Sequence, residues 1–164
     1  MCTEGGHSAV QLTYVSHSIE SGKPGLEGLP ATFGGQEECR SLHIVTHDPV
    51  LKLEVILSYS VFADTDAIAA SVRERTGRSV ETGEKLMLTK VLSGCLNLEE
   101  ADWDVVTLHG GWARERHISR RPLEAGVAAV YSKRGESGHQ EQPFMALCDR
   151  TATQEAGEVY GIDF

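Results

Sequence analysis

Nowhere in this chain do 18 apolar residues run together, so a membrane-spanning helix has no segment from which to form. The opening MCTEGGHSAV has neither a basic stretch nor an apolar one behind it, and a cleavable signal peptide is not expected. Basic residues are scarce: 15 Lys and Arg stand against 24 Asp and Glu, a formal net charge of −9. Non-specific binding to nucleic acid or anionic lipid draws mainly on Lys and Arg, so this balance argues against both. Cysteine is sparse and spread out, at Cys2, Cys39, Cys95 and Cys148, with no CxxC pair. That spacing excludes a zinc knuckle or a dithiol redox motif and leaves four thiols. Histidines are as scattered, apart from His43 and His47 in SLHIVTHD. The segment reads as strand, where an offset of four puts the two rings roughly 13 Å apart, too far to share one ion. No metal and no cofactor is expected, and the chain reads as a cytoplasmic protein about the size of one domain.

Catalytic signatures are missing as well. There is no GxSxG elbow, no phosphate-binding loop and no GxGxxG. Glu99, Glu100, Asp102 and Asp104 supply carboxylates, but four crowded into six residues read as a solvated turn, without the DxDxDG spacing of a calcium loop. No catalytic residue is assigned.

What is present is a period of two. In LKLEVILSYSV, Leu51, Leu53, Val55, Leu57, Tyr59 and Val61 alternate through eleven residues, the pattern of a strand with one face in a core. Shorter versions occur at 10–19, 41–47, 85–98, 103–110, 127–134, 143–148 and 157–164, separated by Gly- and Pro-marked turns. Short strands with no recurrent helical period predict an all-β fold, a β-sandwich. The segment DTDAIAASVRERTG (64–77) is ambiguous, because its alanines favour helix while Ile68, Ala70 and Val72 alternate.

The stretch LHGGWARERH (108–117) carries the remaining chemistry. Trp112 reads either as an aromatic half-buried in the sandwich or as an exposed platform for a sugar ring. Arg114 and Arg116, two apart, are expected on one face of a strand with Glu115 on the other. Paired guanidinium forks suit carboxylates, and the acidic cluster at 99–104 is the obvious intrachain partner.

The ordered segments TYVSHSIESGKPGLEGLPATF (13–33), LEVILSYSVFADTDAIAASV (53–72), ADWDVVTLHGGWARERHISRRPLEAG (101–126), SKRGESGHQEQPFMALC (132–148) and GEVYG (157–161) resemble the N-terminal β-sandwich domain of the family 36 glycoside hydrolases, which are α-galactosidases. The resemblance covers about residues 12–162, with residues 1–11 an unmatched lead-in and 12–164 the domain. It implies a mutarotase-like supersandwich and makes 64–77 a turn and a strand. The chain departs from the family at RERTGRSVETGE, at Gly138 and at Glu141–Gln142, where the family shows an Asn-Gly turn, a second Ser and an Asn before Pro.

By the same resemblance, the nucleophile and acid/base Asp of the family lie in a (β/α)₈ barrel that nothing here matches. The chain stops inside a strand pattern that the family continues, so a piece truncated at its C-terminal end is expected. The implied role is structural: an assembly domain of a retaining, homo-oligomeric α-galactosidase acting on raffinose-type oligosaccharides. Trp112, Arg114, Glu115 and Arg116 are assigned to an interface with the barrel or a neighbouring subunit. The alternatives are a stand-alone carbohydrate-binding module with Trp112 or Tyr14 as platform, and a sugar mutarotase using His109 or His117 beside a carboxylate.

Overall fold

The computed structural model describes residues 2, 3, 6, 9–28, 31–76, 86–90, 92, 94–132 and 138–163. Among them there is no helix. The chain divides into two compact units, residues 1–96 and 97–164.

The first unit is built on an antiparallel sheet in the order β2-β3-β4-β5. Its strands are β2 (Thr13–Ser21), β3 (Cys39–Asp48), β4 (Leu53–Phe62) and β5 (Ile68–Thr76). Two-residue strands β1 (Cys2–Thr3) and β6 (Leu86–Met87) pair separately. The alternation in LKLEVILSYSV does what its period implies: Leu51, Leu53 and Val55 are buried, with Leu57, Val72 and Leu86 packed against them. Cross-strand register puts Leu57 opposite Ile44 and Val72, and Tyr59 opposite Leu42 and Ala70. Apolar pairs so aligned are the unit of sheet stability.

Within segment 64–77, residues 64–66 form a bend and Ile68–Thr76 a strand, with 77 outside the described residues, and β5 pairs with β4 from Val61↔Ile68 to Leu53↔Thr76. The helix preference of Ala69 and Ala70 is worth only tenths of a kcal/mol per residue, less than a nine-residue ladder beside a buried strand supplies. The polar side chains buried among the described residues of this unit, Ser41, Asp48 and Ser60, are satisfied. Asp48, only 2% exposed, accepts from Val50 N and Leu51 N with Oδ1 and from Gln11 N with Oδ2. Buried Ser41 donates to Gly22 O and stands 2.7 Å from Ser60 Oγ.

The second unit is an antiparallel sheet ordered β10-β9-β7-β8. It comprises β7 (Trp103–Gly111), β8 (Arg114–Pro122), β9 (Glu141–Asp149) and β10 (Val159–Asp163). Its core cluster is Ala146, Cys148 and Ala152, with Val106 and Phe144 against it. Of the thiols, Cys39 and Cys148 are buried and Cys95 is exposed, and none of the three is in a disulfide; the Cys2 side chain lies outside the described residues.

Two strand expectations fall short. Residues 127–132 of the stretch 127–134 form no strand, with 133 and 134 outside the described residues, and of 85–98 only Leu86–Met87 pairs among the described residues. In both, a few aliphatic residues alternate, but among the described residues no neighbouring strand meets the backbone along its length.

Candidate functional site

The hairpin joining β7 to β8 is assembled from Gly110, Gly111, Trp112, Ala113 and Arg114. Between the pairs His109↔His117 and Gly111↔Arg114 the register shifts, so that Gly110 alone faces Glu115 and Arg116. This is a β-bulge, with one strand carrying an extra residue. Ala113 (φ 59°) and Arg116 (φ 61°) both take the left-handed conformation, which costs an L-residue roughly 1–2 kcal/mol. Two contacts hold the bend. Glu115 Oε1 accepts from Ala113 N at 2.8 Å, and Gly110 N donates to Gln140 O at 3.1 Å just before β9.

Trp112 at the tip is 86% exposed, which overturns the half-buried reading. A two-residue turn beyond the sheet leaves the indole without cover among the described residues. The bulge also breaks the alternation on which a shared face for Arg114 and Arg116 rests. Glu115, expected on the opposite face of a plain strand, instead closes the turn through its carboxylate.

The acidic cluster does not partner these arginines. Asp104, with a side chain 11% exposed, takes Arg120 Nε on Oδ2 at 2.8 Å and faces Arg150 Nε across 3.6 Å with Oδ1. Asp102 meets Arg150 at 3.6 Å, and Trp103 Nε1 donates to Glu99 O. Arg120 also donates to the carbonyls of Asp149, Arg150 and Ala152. One guanidinium thereby ties β7 and β8 to the β9–β10 turn. The signal for this in the sequence is slight: Arg120, Asp104 and Arg150 lie far apart, and only strand register brings them together.

Asp149 in that turn accepts from Thr151 N at 2.7 Å and Thr151 Oγ1 at 2.8 Å. The backbone donor first, then the hydroxyl, hold its carboxyl below the usual range, with the charge of Arg120 adding less. A depressed folded-state value contributes stability above the unfolded pKa and loses it as pH falls through the folded one. Asp149→Asn is therefore expected to lower stability at neutral pH, where the carboxylate contributes it, and to flatten the acid limb so that the two proteins converge below about pH 4. Urea midpoints across that range check this; equal acid sensitivity in both proteins would contradict it.

The other sequence candidates are placed as follows. Tyr14 is 62% exposed on β2, and its hydroxyl lies 2.6 Å from His17 Nδ1. His109 stands in register between His117 and Glu141. Glu141 already accepts from Tyr131 N, and neither histidine forms an ion pair with a carboxylate among the described residues.

Two four-stranded antiparallel sheets, with a braced hairpin that carries an exposed indole and exposed guanidinium groups, define an all-β module. The chain belongs to the N-terminal domain family of the family 36 glycosyl hydrolases, whose model matches residues 2–164. It is 44% identical over 163 residues to α-galactosidase AgaA of Geobacillus stearothermophilus, covering 98% of this chain and 22% of that protein. It is 35% identical over 156 residues to probable α-galactosidase C of Aspergillus terreus, covering 95% of this chain and 20% of the relative. The crystal structure of AgaA superposes with a TM-score of 0.91 at 42% identity, over 98% of this chain and 22% of that one. The α-galactosidase of Lactobacillus brevis gives 0.90 at 34% identity, over 98% and 21%. The chain thus spans about a fifth of the length of the relatives it matches, and its fold class is that of their β-sandwich N-terminal domain.

Proposed function

We propose that this chain is the non-catalytic N-terminal domain of a retaining α-galactosidase, and that it orients and assembles the catalytic barrel. The observation that carries this reading is the match over nearly all of this chain to only about a fifth of several α-galactosidases. In the parent enzyme, two barrel carboxylates about 5 Å apart form and then hydrolyse a covalent galactosyl intermediate, on terminal α-galactosides of the raffinose type. The protein works in the cytoplasm as a homo-oligomer. Trp112, Arg114 and Arg116 supply the contact with barrel or neighbouring subunit, and Glu115 holds the turn that presents them.

The test compares this chain with the full-length polypeptide encoded by the same gene. Only the longer protein is expected to release nitrophenol from an aryl α-galactoside. In it, Arg114→Ala lowers the melting temperature or the assembled mass while kcat per assembled enzyme holds. Turnover that co-purifies with the 164-residue chain overturns the reading, as does loss of most kcat with assembly intact. Raffinose binding by this chain that Trp112→Ala abolishes favours the carbohydrate-binding module instead.

A further inference from the structure

Strand β8 reverses the charge of the protein that contains it. Overall the chain carries −9, yet β8, RERHISRRP, holds four arginines against the single Glu115. Of the four, only Arg120 has an ion pair among the described residues, because Asp104 is shared between it and Arg150. Glu115 is engaged by its own turn. Arg114, Arg116 and Arg121 are exposed and no carboxylate among the described residues meets them.

Basic residues and a bulge on an edge strand are also how a sheet avoids pairing with another, and β8 is an edge. That role accounts for the arginines but not for the apolar residues beside them. Trp112 at 86% and Ile118 at 74% exposure are the wrong side chains for an edge that has only to stay in water. A largely exposed Trp followed two and four residues on by exposed arginines has the composition of an interface hot spot.

The geometry points to the β7–β8 hairpin and the β8 edge as a docking surface for a carboxylate-bearing face of the catalytic part of the same polypeptide. Trp112 is its apolar anchor, and Arg114, Arg116 and Arg121 are its charge partners. This rests on the α-galactosidase reading and adds the chemistry of the partner. A second copy of the same surface does not fit, because two-fold pairing sets arginine against arginine. An added β-strand is disfavoured too, since the bulge and the left-handed Arg116 disrupt the outer edge at its start. What fits is side-chain docking onto acids held outside these 164 residues.

The experiment uses the full-length enzyme. Arg114→Lys, Arg116→Lys and Arg121→Lys are combined, keeping the charge and giving carbodiimide an amine to couple. Zero-length cross-linking followed by peptide mass spectrometry is expected to join these lysines to Asp or Glu beyond residue 164 of the same polypeptide. Charge reversal by Arg114→Glu with Arg116→Glu is expected to cut the assembled fraction about tenfold, and raised salt to weaken assembly of the unaltered enzyme. Cross-links confined to acids within residues 1–164, cross-links joining the same surface of two copies, or none at all overturn the inference. In an active, assembled enzyme those outcomes sink this inference alone. A full-length product without a barrel or galactosidase activity sinks the functional reading and this inference with it.

Discussion

Arg120→Ala is expected to destabilise the 97–164 unit by about 3 kcal/mol, far more than the surface position of an arginine on an edge strand suggests. The replaced guanidinium makes four hydrogen bonds: Nε to Asp104 Oδ2, and the terminal nitrogens to the carbonyls of Ala152, Asp149 and Arg150. Its loss strands Asp104, whose side chain is 11% exposed and whose remaining neighbour, Arg150 Nε, stands at 3.6 Å without a hydrogen bond to Oδ1. Removing one partner of a buried pair costs roughly 3–5 kcal/mol, and the 37% exposure of the Arg120 side chain places this case at the lower end. Arg120→Lys keeps the charge but replaces a planar fork with a single point, so it restores Asp104 and leaves the carbonyls to water. Urea unfolding of the three proteins should order them wild type, Lys, Ala. A loss below about 1 kcal/mol for Ala would show that water replaces the guanidinium without penalty.

That knot marks the limit of what spacing in the sequence reveals. The alternation through Leu53, Val55 and Leu57 is legible because a strand with one buried face writes its period directly into residue type. β8 writes no such period: Ile118 is its only aliphatic residue besides Pro122, since an edge strand exposed along most of its length needs no apolar face. The ambiguity at 64–77 arises because Ala suits both states, and pairing with β4 decides it. Residues 127–132 show the converse, alternation without a partner strand. At the hairpin, Trp112 and the arginines stand out by type, whereas the bulge that aims them does not. Two left-handed residues that are not glycine leave no mark in sequence. Proximity along the chain assigns the acidic cluster to Arg114 and Arg116, but strand register delivers Asp104 to Arg120, sixteen residues away.

The hairpin itself turns on one glycine, and Gly110→Ala is expected to cost about 2 kcal/mol or more. A Cβ on Gly110 would fall on the carbonyl oxygen of Arg114 and within 3.0 Å of Arg114 C and Glu115 Cα. All three are backbone atoms of the bulge, so no side chain can swing aside to make room. Relief requires β8 to move off β7 at its first residues, which breaks the Gly111↔Arg114 pairing and the Glu115 brace on Ala113 N. Gly111 next to it is the control: a Cβ there meets nothing within 4 Å. Gly111→Ala should therefore stay within about 0.5 kcal/mol of wild type. Urea unfolding of this chain measures both. In the full-length enzyme the two variants should separate further, because a displaced tip carries Trp112, Arg114 and Arg116 out of the proposed contact. Gly110→Ala is expected to lose assembled mass by light scattering and Gly111→Ala to keep it. Equal stability of the two variants would mean that the close approach of Gly110 to Arg114 is not what sets this turn. Equal loss of assembly with unequal stability would instead place the contact on the backbone of the tip, not on the side chains that the bulge presents.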